Sequence, residues 1–362
     1  SDLLIEIRAE ELPPKALQRL IDAFAEGVVT ALQQAKLHHG TVHRYATPRR
    51  LALVIEQLDH AQPTRPVERR GPALQAAFDA SGRPTRATLG FARSCGVEPE
   101  QLERVESAKG AWLVHRYVQQ GETAQQLIPG IVQTALDRLP IPKRMRWSDR
   151  EAEFVRPVHW IVLLLGDEVI DATLLDVRAG RHTRGHRFHH PDPIYIQQAR
   201  DYASQLQQEG WVIADLAARR ATIRAQVVEA ATQIGGEAVI DDDLLDEVTA
   251  LVEWPKAIMG AFDERFLAIP AECLISAMQG HQKYFHLIDS AGRLLPRFIT
   301  LSNIESREPG MVRYGNERVI RPRLSDAEFF WNKDRQRSLA DRITSLDAIL
   351  FHKALGSLGE KS

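Results

Sequence analysis

Apolar and polar residues alternate in LLIEIR, residues 3–8, the two-residue period of a strand with one face in a core. Pro13 and Pro14 follow, where a helix can begin. Leu17, Leu20, Ile21, Phe24, Val28 and Leu32 then recur at helical spacing. RRLALVIEQL, residues 49–58, is a second strand. Residues 59–84 are rich in Pro, Arg and Gly and read as a long loop. A short helix is predicted over 87–95, stopped by Gly96, then a strand in AWLVHRYV (111–118) and a helix over 123–139 that ends at Pro140 and Pro142. IPKRMRWSDREAEFVRP, 141–157, has the composition of a boundary.

Two strands follow, VHWIVLLLG (158–166) and EVIDATLLDV (168–177), turning at Gly166-Asp167. Helices are predicted over 196–209 and 216–234, with WVIAD (211–215) a short strand between them and Gly235-Gly236 closing the second. DDDLLDEVTALVEW and PAECLISAMQGHQ are further helices. YFHLID and RFITLSN flank the turn SAGR, and 312–350 is mostly helical and densely charged. Strand pairs interrupted by helices, without regular βαβ alternation, define a multi-domain α+β chain with mixed sheets, packed helices and a helical C-terminal part. The limits expected are 1–150, 151–345 and 346–362, the last being the start of a further domain.

The 362 residues suffice for two or three domains. With 44% hydrophobic and 26% charged residues the composition is ordinary for a globular chain, and a formal charge of −2 leaves any nucleic-acid role to local basic patches. Cys95 and Cys273 form no C-x-x-C, which disfavours a cysteine zinc site or a disulfide framework and fits a reducing, cytoplasmic compartment. No apolar run reaches membrane-spanning length. The start lacks Met and a signal-peptide pattern, and LGSLGEKS stops at a helix entry, so a piece of a longer chain is expected.

GRHTRGHRFHHP, residues 180–191, holds four histidines and no acid. His182 and His186 have the i, i+4 spacing of a helical zinc pair, but Arg178, Arg181, Arg184 and Arg187 would repel a divalent cation. In an extended segment, arginines at every third residue line one edge and suit phosphates; a solvated arm with internal ion pairs is the equal alternative. Other basic clusters combine cations with aromatics that could stack on bases: HRYATPRR (Arg49, Arg50), KRMRW (Arg144, Arg146), HQKYF (Lys283) and RVIRPRL (Arg321, Arg323). Asp241, Asp242 and Asp243 precede a helix and read as caps rather than a Mg²⁺ site. Glu6, Glu10 and Glu11 read as a solvent edge and a cap. GSLGEKS fails the P-loop pattern, because Glu360 separates Gly359 from Lys361. No recognisable catalytic set is present.

LLIEIRAEELPP, YATPRRLALVI, RPTRATLGFARSCGV, IPKRMRW, FVRPVHWIVLLL, TRGHRFHHP, HQKYF, NIES, GNERVIRPRLSDAEFFWNKDR and LGSLGEKS, in this order, resemble the beta subunits of bacterial heterotetrameric glycyl-tRNA synthetases, nearly end to end. The resemblance implies a partner alpha subunit with the class II site for glycine, ATP and Mg, an assembly of two alpha and two beta chains, and a beta subunit that binds tRNA(Gly). It implies chains about double this length, with an HD-type helical domain and an anticodon-binding domain in the second half; residues 346–362 would open the former, and no His-Asp dipeptide occurs here. No catalytic residue, metal or cofactor is expected on this chain, and no membrane contact. The candidate tRNA or subunit contacts are Arg49, Arg50, Arg144, Arg146, Arg178, Arg181, Arg184, His186, Arg187, Lys283, Arg321 and Arg323. The rival readings are a subunit-assembly module without an RNA surface and a metal-dependent hydrolase built on the His182–His190 cluster.

Overall fold

The computed structural model describes residues 1–107 and 110–361. Strand β1 (Leu3–Ala9) leads into helix α1 (Leu17–Gln34), and β2 (Val42–Thr47) and β3 (Arg50–Ile55) form a hairpin beside β1. The chain then leaves this sheet. The stretch expected as a loop over 59–84 contains a nine-residue strand, β4 (Arg65–Ala73), followed by a single helical turn, α2 (Leu74–Ala77). β4 is mostly exposed and has no apolar alternation. It is held by antiparallel pairing with a distant strand, which periodicity does not reveal. Helix α3 (Arg86–Cys95) ends at Gly96 in the left-handed region, φ 72°. β5 (Glu103–Ser107) and β6 (Gly110–Gln119) complete a three-stranded sheet with β6 in the centre. Helix α4 (Ala124–Asp137) opens with a capping box between Thr123 and Gln126 and packs on α1.

β7 (Val158–Leu165) returns to the first sheet and pairs with β1, Arg8 opposite Trp160 and Glu6 opposite Val162. The sheet thus runs across residue 150, where the sequence reading divides the chain. The strand expected over 168–177 is broken into β8 (Glu168–Val169), β9 (Thr173–Leu174) and the start of β10 (Val177–Gly180), because Leu175 and Asp176 take φ of 51° and 58° and turn the chain back on itself. The sheet order is β2-β3-β1-β7-β10-β9, with β8 on β7. β1 was expected to be half-buried; all seven of its residues are buried, because both faces are covered. Leu3, Ile5 and Ile7 face α1 and α4, whereas Leu4 packs with Ile194, Ile196, Tyr202, Leu206 and Val212. The hairpin β11 (His182–Arg184) and β12 (Pro193–Tyr195), with helix α5 (Tyr202–Gln208), provides that second layer.

Residues 211–215, expected as a strand, form none. Trp211 has φ 56°, and the segment makes single backbone bonds to Ala46 and Glu253 instead of a ladder. Helix α6 (Leu216–Thr232), the two-residue β13 (Glu237–Ala238) and helix α7 (Asp242–Thr249) follow. Asp241 caps α7 by accepting from the Leu244 amide at 2.8 Å, the role read for it in the sequence. β14 (Lys256–Ala261), helix α8 (Ala271–Ser276), a π-turn over Ala277–Gln282, β15 (Phe285–Ile288) and β16 (Leu294–Ser302) build a four-stranded sheet in the order β13-β15-β16-β14. α6 and α7 cover one face of it; α8 and the long helix α9 (Pro309–Asp334) cover the other. The α+β reading holds, with the helical end in place. Among the described residues no helix is long and apolar enough to cross a membrane.

Candidate nucleic-acid interface

Where β1, β3 and β7 meet, the strand faces carry charge in place of leucine. Glu6 and Arg8 lie on the face of Leu4, and the register sets Arg50 of β3 opposite Arg8. Glu6, Arg50 and Glu253 have no exposed surface, and Arg8 and Arg49 are 4% and 6% exposed. Glu253 arrives from the loop between α7 and β14. Its carboxylate accepts from Arg49 at 2.7 Å and from the Thr47 hydroxyl at 2.8 Å, and lies 3.6 Å from Arg50. Arg50 also reaches Glu6 at 3.3 Å, and its guanidinium donates to the Arg184 carbonyl at 2.9 Å. Glu6 further accepts from Thr183 at 2.6 Å and from the Tyr202 hydroxyl. The expectation of a solvent edge therefore fails for Glu6: its strand is sandwiched, and a buried carboxylate is tolerated only when paired. Burial pushes the Glu253 carboxyl up, but Arg50, Arg8 and Arg49 outweigh it and hold it well below the usual carboxylate range.

The loop carrying Glu253 is fixed by NIES. Asn303 Oδ1 accepts from the Glu253 amide at 2.6 Å and the Trp254 amide at 3.1 Å. Glu305 accepts from Lys256 at 2.9 Å, and its own amide donates to His189 Nε2 at 3.0 Å. The histidine segment is thus absorbed into packing. His186 Nδ1 accepts from the Phe188 and His189 amides, and His186, His189, Trp211 and Trp254 form a chain of ring contacts with centroids 4.8 to 5.2 Å apart. His182 packs edge-on against Tyr195. Among the described residues no three His, Cys, Asp or Glu side chains are placed to hold a metal ion. Burial lowers the His186 imidazole, keeping it neutral.

The sequence-selected cations separate into three groups. Arg49, Arg50 and His186 are buried in or beside the cluster, and Arg50 offers no surface to an RNA. Arg144 donates to the Leu136 and Asp137 carbonyls that end α4; Arg146 pairs with Glu151, Arg178 with Asp171 and Lys283 with Glu247, while Arg181 bonds the Asp167 carbonyl and stacks on Tyr195. Arg184, Arg187, Arg321 and Arg323 are exposed and have no carboxylate in ion-pair distance among the described residues, although Arg187 is near enough to Glu10 to help lower its carboxyl. The arginines at every third residue therefore form no single edge, because β10 and β11 have period two and the chain turns after Gly185. Arg321 and Arg323 stand apart on α9.

Arg49, Arg184 and Arg187 line one cleft of about 230 Å³, with Arg8, Glu10, His159, Trp160 and His190. Arg8 and Arg184 both face the Trp160 ring, at 5.1 and 5.7 Å from its centroid. Arg184 also donates to the Pro191 carbonyl at 3.3 Å. Burial, then Arg50, push Arg8 down to about 9, so it stays charged at neutral pH. Glu10 at the rim is engaged by His159 at 2.7 Å. Sequence reasoning missed Arg8, Trp160 and Glu253. The signal for the first was available: Arg8 follows Leu4 and Glu6 at period two on one strand.

These features define a multi-domain α+β chain whose first sheet ends in a paired arginine–glutamate cluster beneath a cationic cleft. The family model described as glycyl-tRNA synthetase beta subunit matches residues 3–362. The glycine–tRNA ligase beta subunit of Hahella chejuensis is 55% identical over 361 residues, covering 100% of this chain and 52% of its own length. That of Marinobacter nauticus is 54% identical over 362 residues, with the same coverages, and that of Pectobacterium atrosepticum 50% over 359 residues, covering 99% and 52%. The chain belongs to the glycyl-tRNA synthetase beta subunit family. It spans about half the length of the curated relatives it matches.

Proposed function

We propose that this chain supports ATP-dependent charging of tRNA(Gly) as part of a beta subunit, working in the cytoplasm in an assembly of two alpha and two beta chains. The catalytic class II site, with ATP and Mg, belongs to the alpha subunit in this reading. The contribution here is positioning: fixed cations neutralise phosphates and orient the RNA toward a site on another chain. The family match over residues 3–362 carries the reading. The exposed Arg184 and Arg187, neither in an ion pair among the described residues, give it a surface.

The test is size exclusion with light scattering of this chain mixed with a glycyl-tRNA synthetase alpha subunit, together with tRNA(Gly) binding across a salt series. A complex is expected. Arg184→Ala with Arg187→Ala should reduce the slope of log affinity against log salt by about 1.5, the loss of two phosphate contacts. The absence of both a complex and any tRNA affinity would overturn the reading. The internal engagement of Arg49, Arg50, Arg144 and Lys283 favours a second reading, an assembly module. It expects alpha binding that survives the arginine changes, and no tRNA affinity.

A further inference from the structure

We propose that the cleft between Arg8, Trp160, Arg184 and Arg187 binds a single phosphate group. Two buried side-chain nitrogens of residues lining this cleft, Arg8 Nε and Trp160 Nε1, lack a hydrogen-bond partner among the described residues; a third, His190 Nε2, makes no hydrogen bond but lies 3.8 Å from a Glu209 carboxylate oxygen. Arg8 Nε and Trp160 Nε1 can only donate, so a ligand that satisfies them must accept. Leaving such donors unpaired in a folded core is costly and uncommon.

Charge points the same way. Arg8, Arg184 and Arg187 are fixed cations with no carboxylate in ion-pair distance among the described residues. Glu253 beneath them is taken by Arg49, and Glu10 by His159. Arg8 and Arg184 face the Trp160 ring; Arg8 Nη1 donates to the Ala9 and Arg49 carbonyls and Arg184 Nη1 to the Pro191 carbonyl, which leaves Arg8 Nε and the remaining Arg184 N–H groups for an oxyanion. The donors belong to three separate strands, Arg8 to β1, Trp160 to β7 and Arg184 to β11. That suits a tetrahedral acceptor better than a planar carboxylate. The volume is below that of a usual small-molecule pocket and fits one such group rather than a whole nucleotide. The proposal stands on this chain's own atoms and does not depend on the tRNA reading.

The probe is inorganic phosphate, titrated into the 362-residue chain by calorimetry and by thermal shift, with sodium chloride matching ionic strength. Saturable binding above the chloride control is expected. Arg184→Gln with Arg187→Gln should weaken it at least tenfold; both residues are exposed, so the chain keeps its fold. Arg93→Gln, an exposed cation on α3, should leave it unchanged. No saturation beyond the chloride control, or equal binding by the double variant, overturns the proposal. Short RNAs with and without a 5′-phosphate then identify the source. Competition by both assigns a backbone phosphodiester, competition by the phosphorylated RNA alone a terminal phosphate, and competition by neither a free phosphate compound. Failure of phosphate to bind removes this site, while complex formation with the alpha subunit still judges the proposed function separately.

Discussion

Replacing Glu253 by Gln removes one negative charge and almost no volume from the buried cluster. Glu253 is fully buried, and its carboxylate is the nearest counter-charge to Arg49. In the variant, Glu6 is left as the sole carboxylate among Arg8, Arg49 and Arg50. Removing one partner of a buried ion pair costs about 3–5 kcal/mol, because the remaining charge stays desolvated. Thr47 and Arg49 donate to different carboxylate oxygens, and the Gln oxygen can replace only one of them while its amide nitrogen faces the other donor, which places the expected loss within that range, about 4 kcal/mol. Glu151→Gln breaks an ion pair of similar length whose partners are 60% and 89% exposed, and should cost under about 1 kcal/mol. Urea denaturation followed by tryptophan fluorescence reads both, since Trp254 adjoins Glu253. Arg49→Met added to Glu253→Gln should be less destabilising than the sum of the single changes by at least about 1 kcal/mol. The parent also loses stability in acid, with a definite sign. The folded carboxyl lies below its ordinary value of 4.5, so its contribution is complete above that value and is lost as pH falls toward the folded one. The variant lacks this dependence. A loss below about 1 kcal/mol in Glu253→Gln, with additive double substitution, would refute the picture of a tightly paired cluster.

The His186 imidazole is depressed by burial, so the folded chain holds fewer protons than the unfolded one; stability should decline as pH drops below its ordinary value of 6.5, and His186→Asn should flatten the decline in a thermal-melt series. Gly185→Ala should destabilise by about 1–3 kcal/mol in urea melts, because a methyl there would overlap the Gly210 carbonyl oxygen and lie 2.7 Å from the Gly210 Cα, both backbone atoms. Asp241→Ala removes the cap on the Leu244 amide and should cost about 1 kcal/mol in the same measurement.

Local signals were legible where local physics decides. The periodic spacing from Leu17 to Leu32 is the buried face of α1, and Gly96 and Asp241 end and begin helices as their backbone chemistry requires. Features that depend on distant pairing were not. Arg65–Ala73 reads as a loop because its side chains face water, yet β6 makes it a strand. Arg49 and Arg50 read as one basic surface run; neighbouring elements close over both, and Glu6 with a carboxylate two hundred positions away, Glu253, makes that burial tolerable. The histidines resemble a metal set in sequence, but His189 stacks on Trp211 and accepts from the Glu305 amide, and no three ligands converge among the described residues. Some of the ordered motifs that pointed to the family meet in space: LLIEIR, YATPRR, TRGHRFHHP and NIES all contribute to the cluster or hold it.

The cluster also imposes an order on synthesis. Thr47 and Glu253 are 206 positions apart, and Glu6 and Thr183 are 177 apart. A chain growing from its amino end makes Arg8, Arg49 and Arg50 early, and it makes their counter-charge and the Asn303 that fixes it much later. Contacts of such separation close slowly. Until they close, β1 and β3 form a hydrogen-bonded sheet edge awaiting β7, with arginines along it. These charges oppose the edge-to-edge pairing that a bare apolar strand would invite. The residues that hold the finished fold together thus also guard the unfinished one.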